Sequence, residues 1–293
     1  MDMPELQCAP DLEDNHKENK SSASVNGGGA SVEKDADAIN ANANTLLERC
    51  DEIAAKVNAF LEEDLDDEVL KGVQEQTRIA LGVISETLDR YSLEEVSFSY
   101  NGGKDCLVLL ILLLAGLSIH HSLPSNMQNK NKTLPAKLPS VYIISSHPFA
   151  EVDEFVNSSS EHYHLSLSRY AMPMKQAFAK YLEDNKHVKA ILVGTRRTDP
   201  HGGLLTHFDM TDGGWPRFMR VHPVIDWHYR EIWGFIRHLK IPYCPLYDQG
   251  YTSLGGTTDT HPNPVLVADN KGQKFRPAYE LVEDQEERLG RDF

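Results

Sequence analysis

The run with the clearest chemical potential is Tyr100-Asn101-Gly102-Gly103-Lys104-Asp105-Cys106. Two consecutive glycines let the backbone pass close to a ligand and turn its N–H groups toward an anion. A helix beginning directly afterwards adds the favourable end of its dipole. The combination suits phosphate. Asp105 can reach a metal ion that bridges phosphates, and Lys104 can offset their charge, as phosphoryl and nucleotidyl transfers require. No GxGxxG occurs here, and a Walker loop needs Ser or Thr after its Gly-Lys, where this chain has Asp105. The competing reading is an ordinary glycine turn with solvated charges at a helix start.

A second constellation is Gly194-Thr195-Arg196-Arg197-Thr198-Asp199-Pro200. Two arginines and a carboxylate at one strand edge can hold phosphate oxygens together with a metal or a polar ring, or can form a surface ion pair. Farther along, Asp212-Gly213-Gly214-Trp215 offers an aromatic face beside a carboxylate, a wall for a flat heterocycle with an N–H to bind or a packing loop. Arg288 and Arg291 are surface charge unless the tail folds over a phosphate. The histidines show no zinc-ligand spacing, and Cys8, Cys50, Cys106 and Cys244 are too scattered for a metal knuckle or a disulfide framework, so reduced thiols are expected.

These residues need a scaffold that collects strand ends. Val96 to Tyr100 reads as a strand and about Lys104 to Gly116 as an apolar helix, the first βα unit. Strands follow at Val141 to Ile144, Tyr163 to Leu167, Ala190 to Val193 and Arg220 to Val224. Helices are expected at Ala150 to Ser159, Met174 to Asn185 and Trp227 to Leu239. Such alternation predicts an α/β fold with a mainly parallel central sheet flanked by helices on both faces, followed by a loop-rich and helical C-terminal extension. Two amphipathic helices, from Thr45 and around Val69 to Leu88, precede it, and Ala278 to Leu289 reads as a charged closing helix. Residues 1–44 are expected to be a disordered acidic tail, 45–293 a single catalytic domain, and 118–139 a flexible insertion.

Composition excludes several classes. The longest apolar run, Leu107 to Leu117, falls well short of the ~20 residues of a membrane span, and the start lacks a signal-peptide layout. A soluble cytoplasmic protein without a membrane partner is expected. The formal net charge of -15 opposes a nucleic-acid partner, although residues 1–44 contribute nine acidic and three basic side chains of that balance. A local basic pocket can still hold small-molecule nucleotides.

Taken jointly, Ser99 to Cys106, Gly194 to Pro200 and Val224 to Asn263 resemble the eukaryotic, fungal-type FAD synthases (FMN adenylyltransferases) of the phosphoadenosine-phosphosulfate reductase-like family, over about Thr45 to Phe293. The wider superfamily shows Ser-Gly-Gly-x-Asp-Ser, from which Asn101 and Cys106 depart in the FAD synthase manner. No reductase-type cysteine lies near the C-terminus. The chain is similar to the compact fungal form, without the molybdopterin-binding-like domain of some animal relatives.

The resemblance implies a Mg²⁺-dependent enzyme that joins ATP and FMN into FAD and pyrophosphate, with FAD-accepting apoproteins as transient partners. It implies ATP or pyrophosphate contacts for Ser99, Tyr100, Asn101, Gly102, Gly103, Lys104, Ile144, Ser145, Gly194 and Arg197. Asp199, Asp212 and Trp215 would face the flavin, Asp105 and Asp199 would place the metal, and Arg288 and Arg291 would act with them in transfer. Tyr243 to Gly256 resembles the family's substrate-side loop. Another ATP-pyrophosphatase enzyme or a non-catalytic flavin-binding module remains as an alternative.

Overall fold

The structure is a computed structural model and describes residues 45–123 and 134–292. The acidic segment 1–44 and positions 124–133 of the expected insertion lie outside the described residues. In chain order the elements are α1 (Leu46–Glu62), α2 (Glu68–Arg90), β1 (Val96–Ser99), α3 (Lys104–His121), β2 (Leu138–Ile143) and α4 (Ala150–His162). They continue with β3 (Leu165–Tyr170), α5 (Met174–Asp184), β4 (Ala190–Leu192), β5 (Phe208–Met210), β6 (Met219–Val221) and α6 (Tyr229–His238).

The first two helices start where side chains can satisfy free backbone donors. The Thr45 hydroxyl accepts the Glu48 N–H at 3.2 Å and the Glu48 carboxylate accepts the Thr45 N–H at 3.0 Å. Asp67 caps α2 by accepting from the Val69 and Leu70 amides. Their apolar stripes, Ile53, Val57 and Phe60 on α1 and Val73, Ala80 and Ile84 on α2, are buried in a core shared with α3 and α6. No residue from Leu107 to Ala115 is more than 3% exposed. By length and composition α3 is the one helix among the described residues that could cross a membrane. Here its sides are closed by α1, α2 and α6, and burial accounts for its apolar character.

This helix runs past Gly116 into the expected insertion, because Ser118 donates to Asp51 on α1 at 2.6 Å and His120 meets Asp89 on α2 at 3.2 Å. The insertion's far edge also retreats: Leu138 and Pro139 already belong to β2, paired with Leu165 and Ser166 of β3.

The sheet order is β3-β2-β1-β4-β6-β5, with every pairing parallel except β5 against β6. Alternation along the strands divides the core. Phe98 and Leu192 face the large cluster under α1 to α4 and α6, whereas Val141 and Ile191 face a smaller one under α5 with Phe178 and Tyr181. Strand order reverses between β1 and β4, and a crevice at their carboxyl ends is where such sheets bind ligands.

Three sequence expectations change. β5 is added at the sheet edge by a hairpin with β6. The strand expected at Arg220 to Val224 ends at Val221: the His222 amide completes the ladder to His207 O at 2.9 Å, and a turn closed by the Ile225 amide on His222 O at 3.3 Å follows. The C-terminal helix is replaced by 3₁₀ turns at Ala278–Glu280 and Asp284–Glu286. Its polar groups bond other parts of the fold: the Asp284 carboxylate accepts the Tyr229 amide at 2.6 Å, and the Glu286 carbonyl accepts from the Asn263 side chain at 2.7 Å.

Candidate active site

A cleft of about 440 Å³ opens at the β1/β4 crevice. Its floor is the glycine turn. Gly102 has φ +71°, and a Cβ there would stand 2.7 Å from Val156 Cγ2 on α4, so only glycine fits. At the end of β4, a Cβ on Gly194 would stand 2.9 Å from the Cys106 amide nitrogen, so the strand end and the start of α3 meet backbone to backbone. Two amides of the turn already have partners. Gly103 N–H donates to Asn101 Oδ1 at 2.9 Å and Lys104 N–H to the Tyr247 hydroxyl at 2.8 Å. These two bonds fix the shape of the turn.

Beneath the floor lies a closed ring of four charges. Lys104 Nζ is 3.0 Å from Asp105 Oδ2 and also bonds Glu287 Oε1. Arg196 Nε is 2.8 Å from Asp105 Oδ1, and Arg196 Nη2 bonds Glu287 Oε2. Lys104, Arg196 and Glu287 are buried, and Lys104, Asp105 and Glu287 each present an edge to the cleft. Burial alone would raise the Asp105 carboxyl, but Arg196 and Lys104 outweigh it and hold the group below the usual carboxylate range. Asp199 moves the other way. Burial and then the Asp105 charge raise it, with Arg196 opposing, while its Oδ2 accepts the Arg196 amide at 2.8 Å. Burial pushes the Cys106 thiol up to about 12, which leaves it a poor nucleophile.

Ser99, Tyr100, Asn101, Gly103, Lys104, Asp105, Gly194, Asp199 and Arg288 all line the cleft. The Tyr100 side chain itself is buried and bonds Ser159 at 2.8 Å, so its ring belongs to the core. The Lys104 ammonium pairs within the ring at the cleft's lining. Ile143 lines the cleft and Ile144 does not: the Ile144 amide bonds Tyr170 O at 2.9 Å beside β3. Ser145 follows it, its hydroxyl accepting the His147 amide at 3.3 Å.

Arg197 is turned outward. It pairs with Asp226 at 2.6 Å and donates to Gly203 O and Leu205 O, so the guanidinium at the site is its neighbour Arg196. Asp212 and Trp215 sit on the β5–β6 hairpin. Neither lines the cleft itself: the Trp215 ring lies 6.3 Å from that of Phe178, which does line it together with Met174. Arg291 is not among the lining residues. It donates to Leu254 O at 3.2 Å and Asp259 O at 3.3 Å, tying down the loop that carries Leu254 to the cleft.

Sequence reasoning missed Arg196 as distinct from Arg197, and missed Glu287 and Phe178 entirely. Tyr247 was legible only as part of the Tyr243 to Gly256 segment, which does reach the cleft through Tyr247, Ser253 and Leu254. Among the described residues no three or more His, Cys, Asp or Glu side chains are grouped to hold a metal. Two carboxylates, Asp105 and Asp199, share one wall, and a divalent cation beside them would relieve the strain that Asp105 puts on Asp199. That donor set suits Mg²⁺, which uses one or two carboxylates and completes its shell with water and substrate phosphate.

A wound sheet with a charged cleft at its point of reversed strand order defines an α/β nucleotide-binding protein. The sequence model of the phosphoadenosine phosphosulfate reductase domain matches residues 168–262, and a probable FAD synthase of Schizosaccharomyces pombe is 41% identical over 77% of this chain and 82% of its own length. The chain belongs to the FAD synthase family. A probable FAD synthase of Caenorhabditis elegans is 32% identical over 82% of this chain, which spans only 44% of that longer protein. The crystal structure of Candida glabrata FMN adenylyltransferase in complex with FAD and inorganic pyrophosphate superposes with a TM-score of 0.78 at 29% identity. The match covers 85% of this chain and 98% of that one.

Proposed function

We propose that this chain transfers AMP from ATP to FMN, giving FAD and pyrophosphate, with Mg²⁺ as the required ion. An FMN phosphate oxygen forms a bond to the α-phosphorus of ATP as the bond from that phosphorus to the α,β-bridging oxygen breaks, and pyrophosphate leaves with that electron pair. No covalent enzyme intermediate is needed, so positioning and charge neutralisation supply the rate. The observation that carries the reading is the convergence of the glycine turn, Asp105, Asp199 and Arg288 on one cleft whose other wall is apolar.

In this reading the Asn101 to Gly103 turn and Arg288 hold phosphate oxygens, while Met174, Phe178 and Trp215 flank the isoalloxazine. Asp199 and Asp212 present carboxylates to the flavin edge. Asp105 and Asp199 would hold Mg²⁺, which neutralises charge on the phosphates when bound. Ion-paired Asp105 stays ionised to well below neutral pH, as a metal-facing carboxylate must. The buried thiols of Cys50 and Cys244 suit the reducing cytoplasm. Product release to flavin-requiring apoproteins completes the proposed cycle.

The test is chromatography of the purified chain after incubation with ATP, FMN and Mg²⁺. FAD and pyrophosphate should form in equal amounts, and Asp105→Asn should lower the rate on the order of 10²-fold or more. Flavin fluorescence quenching with no pyrophosphate released would instead identify a flavin-binding module, and wild-type rates in Asp105→Asn would remove Asp105 from the metal site.

A further inference from the structure

We infer that Glu287 is a positioning residue for the reaction: by clamping Lys104 and Arg196 across the crevice it sets the cleft-facing orientation of Arg288. The inference rests on the site reading above, in which Arg288 meets phosphate.

Glu287 is 4% exposed, and its two oxygens serve cations from different parts of the fold, Lys104 at the start of α3 and Arg196 just after β4. It therefore bridges the two sides of the crevice. The main chain around it is fixed as well. The Thr252 hydroxyl donates to Glu287 O at 2.6 Å, and the buried Asn263 side chain donates to both Glu286 O and the Thr252 hydroxyl, at 2.7 and 2.9 Å. Thr252 directly precedes Ser253 and Leu254, which line the cleft. With its carboxylate and its carbonyl both held, Glu287 has little rotational freedom, and the next residue is Arg288 on the cleft wall. A reorientation of the Glu287 side chain or backbone displaces the guanidinium one peptide away.

Lys104 and Arg196 also hold Asp105, so Glu287 takes half of what those two cations offer. A buried ion pair that serves stability alone has no reason to depend on Arg288, and this separates the two roles.

The experiment is a double-mutant cycle of Glu287→Gln and Arg288→Ala, reading kcat and KM for ATP and FMN together with the unfolding midpoint. Each single variant should lose on the order of 10²-fold in kcat/KM, the effect of misplacing a group by about 1 Å. The double variant should be no slower than Arg288→Ala alone within about twofold, because Glu287 acts through that arginine. Glu287→Asp keeps the charge but shortens the reach, so it should also be slow, and it carries the same cycle should Glu287→Gln fail to fold. Losses that multiply in the double variant overturn the inference while leaving the reading of Arg288 in place, as does full activity in Glu287→Asp. Wild-type kcat/KM in Arg288→Ala removes the arginine from the site, and the inference with it.

Discussion

Replacing Arg196 with Met removes one cation from a ring in which two positive and two negative groups alternate. The side chain is fully buried, with Nε 2.8 Å from Asp105 Oδ1 and Nη2 on Glu287. Breaking a buried pair by deleting one partner costs about 3–5 kcal/mol. Lys104 still reaches both carboxylates, which favours the lower figure of about 3 kcal/mol, or a fall of roughly 6–12 °C in Tm for a domain of this size. The sign of the pH dependence follows from Asp105. In the native protein its carboxyl is held below the unfolded value, so it adds stability at neutral pH that is lost as pH falls through the folded pKa. In the variant the largest opposing charge is gone, so the Asp105 pKa is higher than in the native protein and its ionised form adds less stability at neutral pH. The deficit relative to wild type should therefore be largest near neutral pH and shrink on acidification. Urea unfolding from about pH 7.5 stepwise down to about pH 3.5, followed by fluorescence of buried Trp227 and Trp233, measures it. A deficit below about 1 kcal/mol, or one that does not change with pH, would refute the buried ring.

Asp199→Asn should lose activity yet match or exceed wild-type stability near neutral pH. The native carboxyl is raised by burial and by Asp105, so its ionised form costs stability above the unfolded pKa. A loss of more than about 1 kcal/mol in denaturant unfolding at neutral pH contradicts this. Trp215→Ala should raise KM for FMN several-fold and change stability by less than about 1 kcal/mol, because the indole is 38% exposed; steady-state kinetics with FMN varied provide the check. Arg291→Ala should raise KM with little change in kcat, since Arg291 restrains the Leu254 loop from outside the cleft. A collapse of kcat at unchanged KM would put its guanidinium on the reacting phosphate.

The scaffold was legible where local pattern and burial agree. Val96 to Ser99 followed by Gly102-Gly103 gave the first βα unit, and alternation along later strands gave a parallel sheet. Legibility failed where long-range partners decide the outcome. Ser118, His120 and His121 are polar and read as loop, yet Asp51 and Asp89 on neighbouring helices hold Ser118 and His120 in the helix. Asp284 to Leu289 has helix-forming composition, but Tyr229, Asn263, Lys104 and Arg196 take up its polar groups from outside. Arg196 and Arg197 are indistinguishable in composition. Which one enters the ring depends on the chain's path after β4, and only the contacts of Arg197 with Asp226, Gly203 and Leu205 reveal that it faces out. Glu287 carried no local signal at all, because its partners lie 183 and 91 residues away.

The ring under the cleft sums to zero, so the formal charge of -15 is carried elsewhere on the chain. Anionic ligands approach a negative body and meet balanced charge only at close range. Adding electrolyte shortens the reach of that repulsion to about 8 Å at physiological ionic strength. Capture of ATP and FMN should therefore quicken as salt rises from very low levels, while the bond-making step, lodged over groups sheltered from solvent ions, keeps its pace.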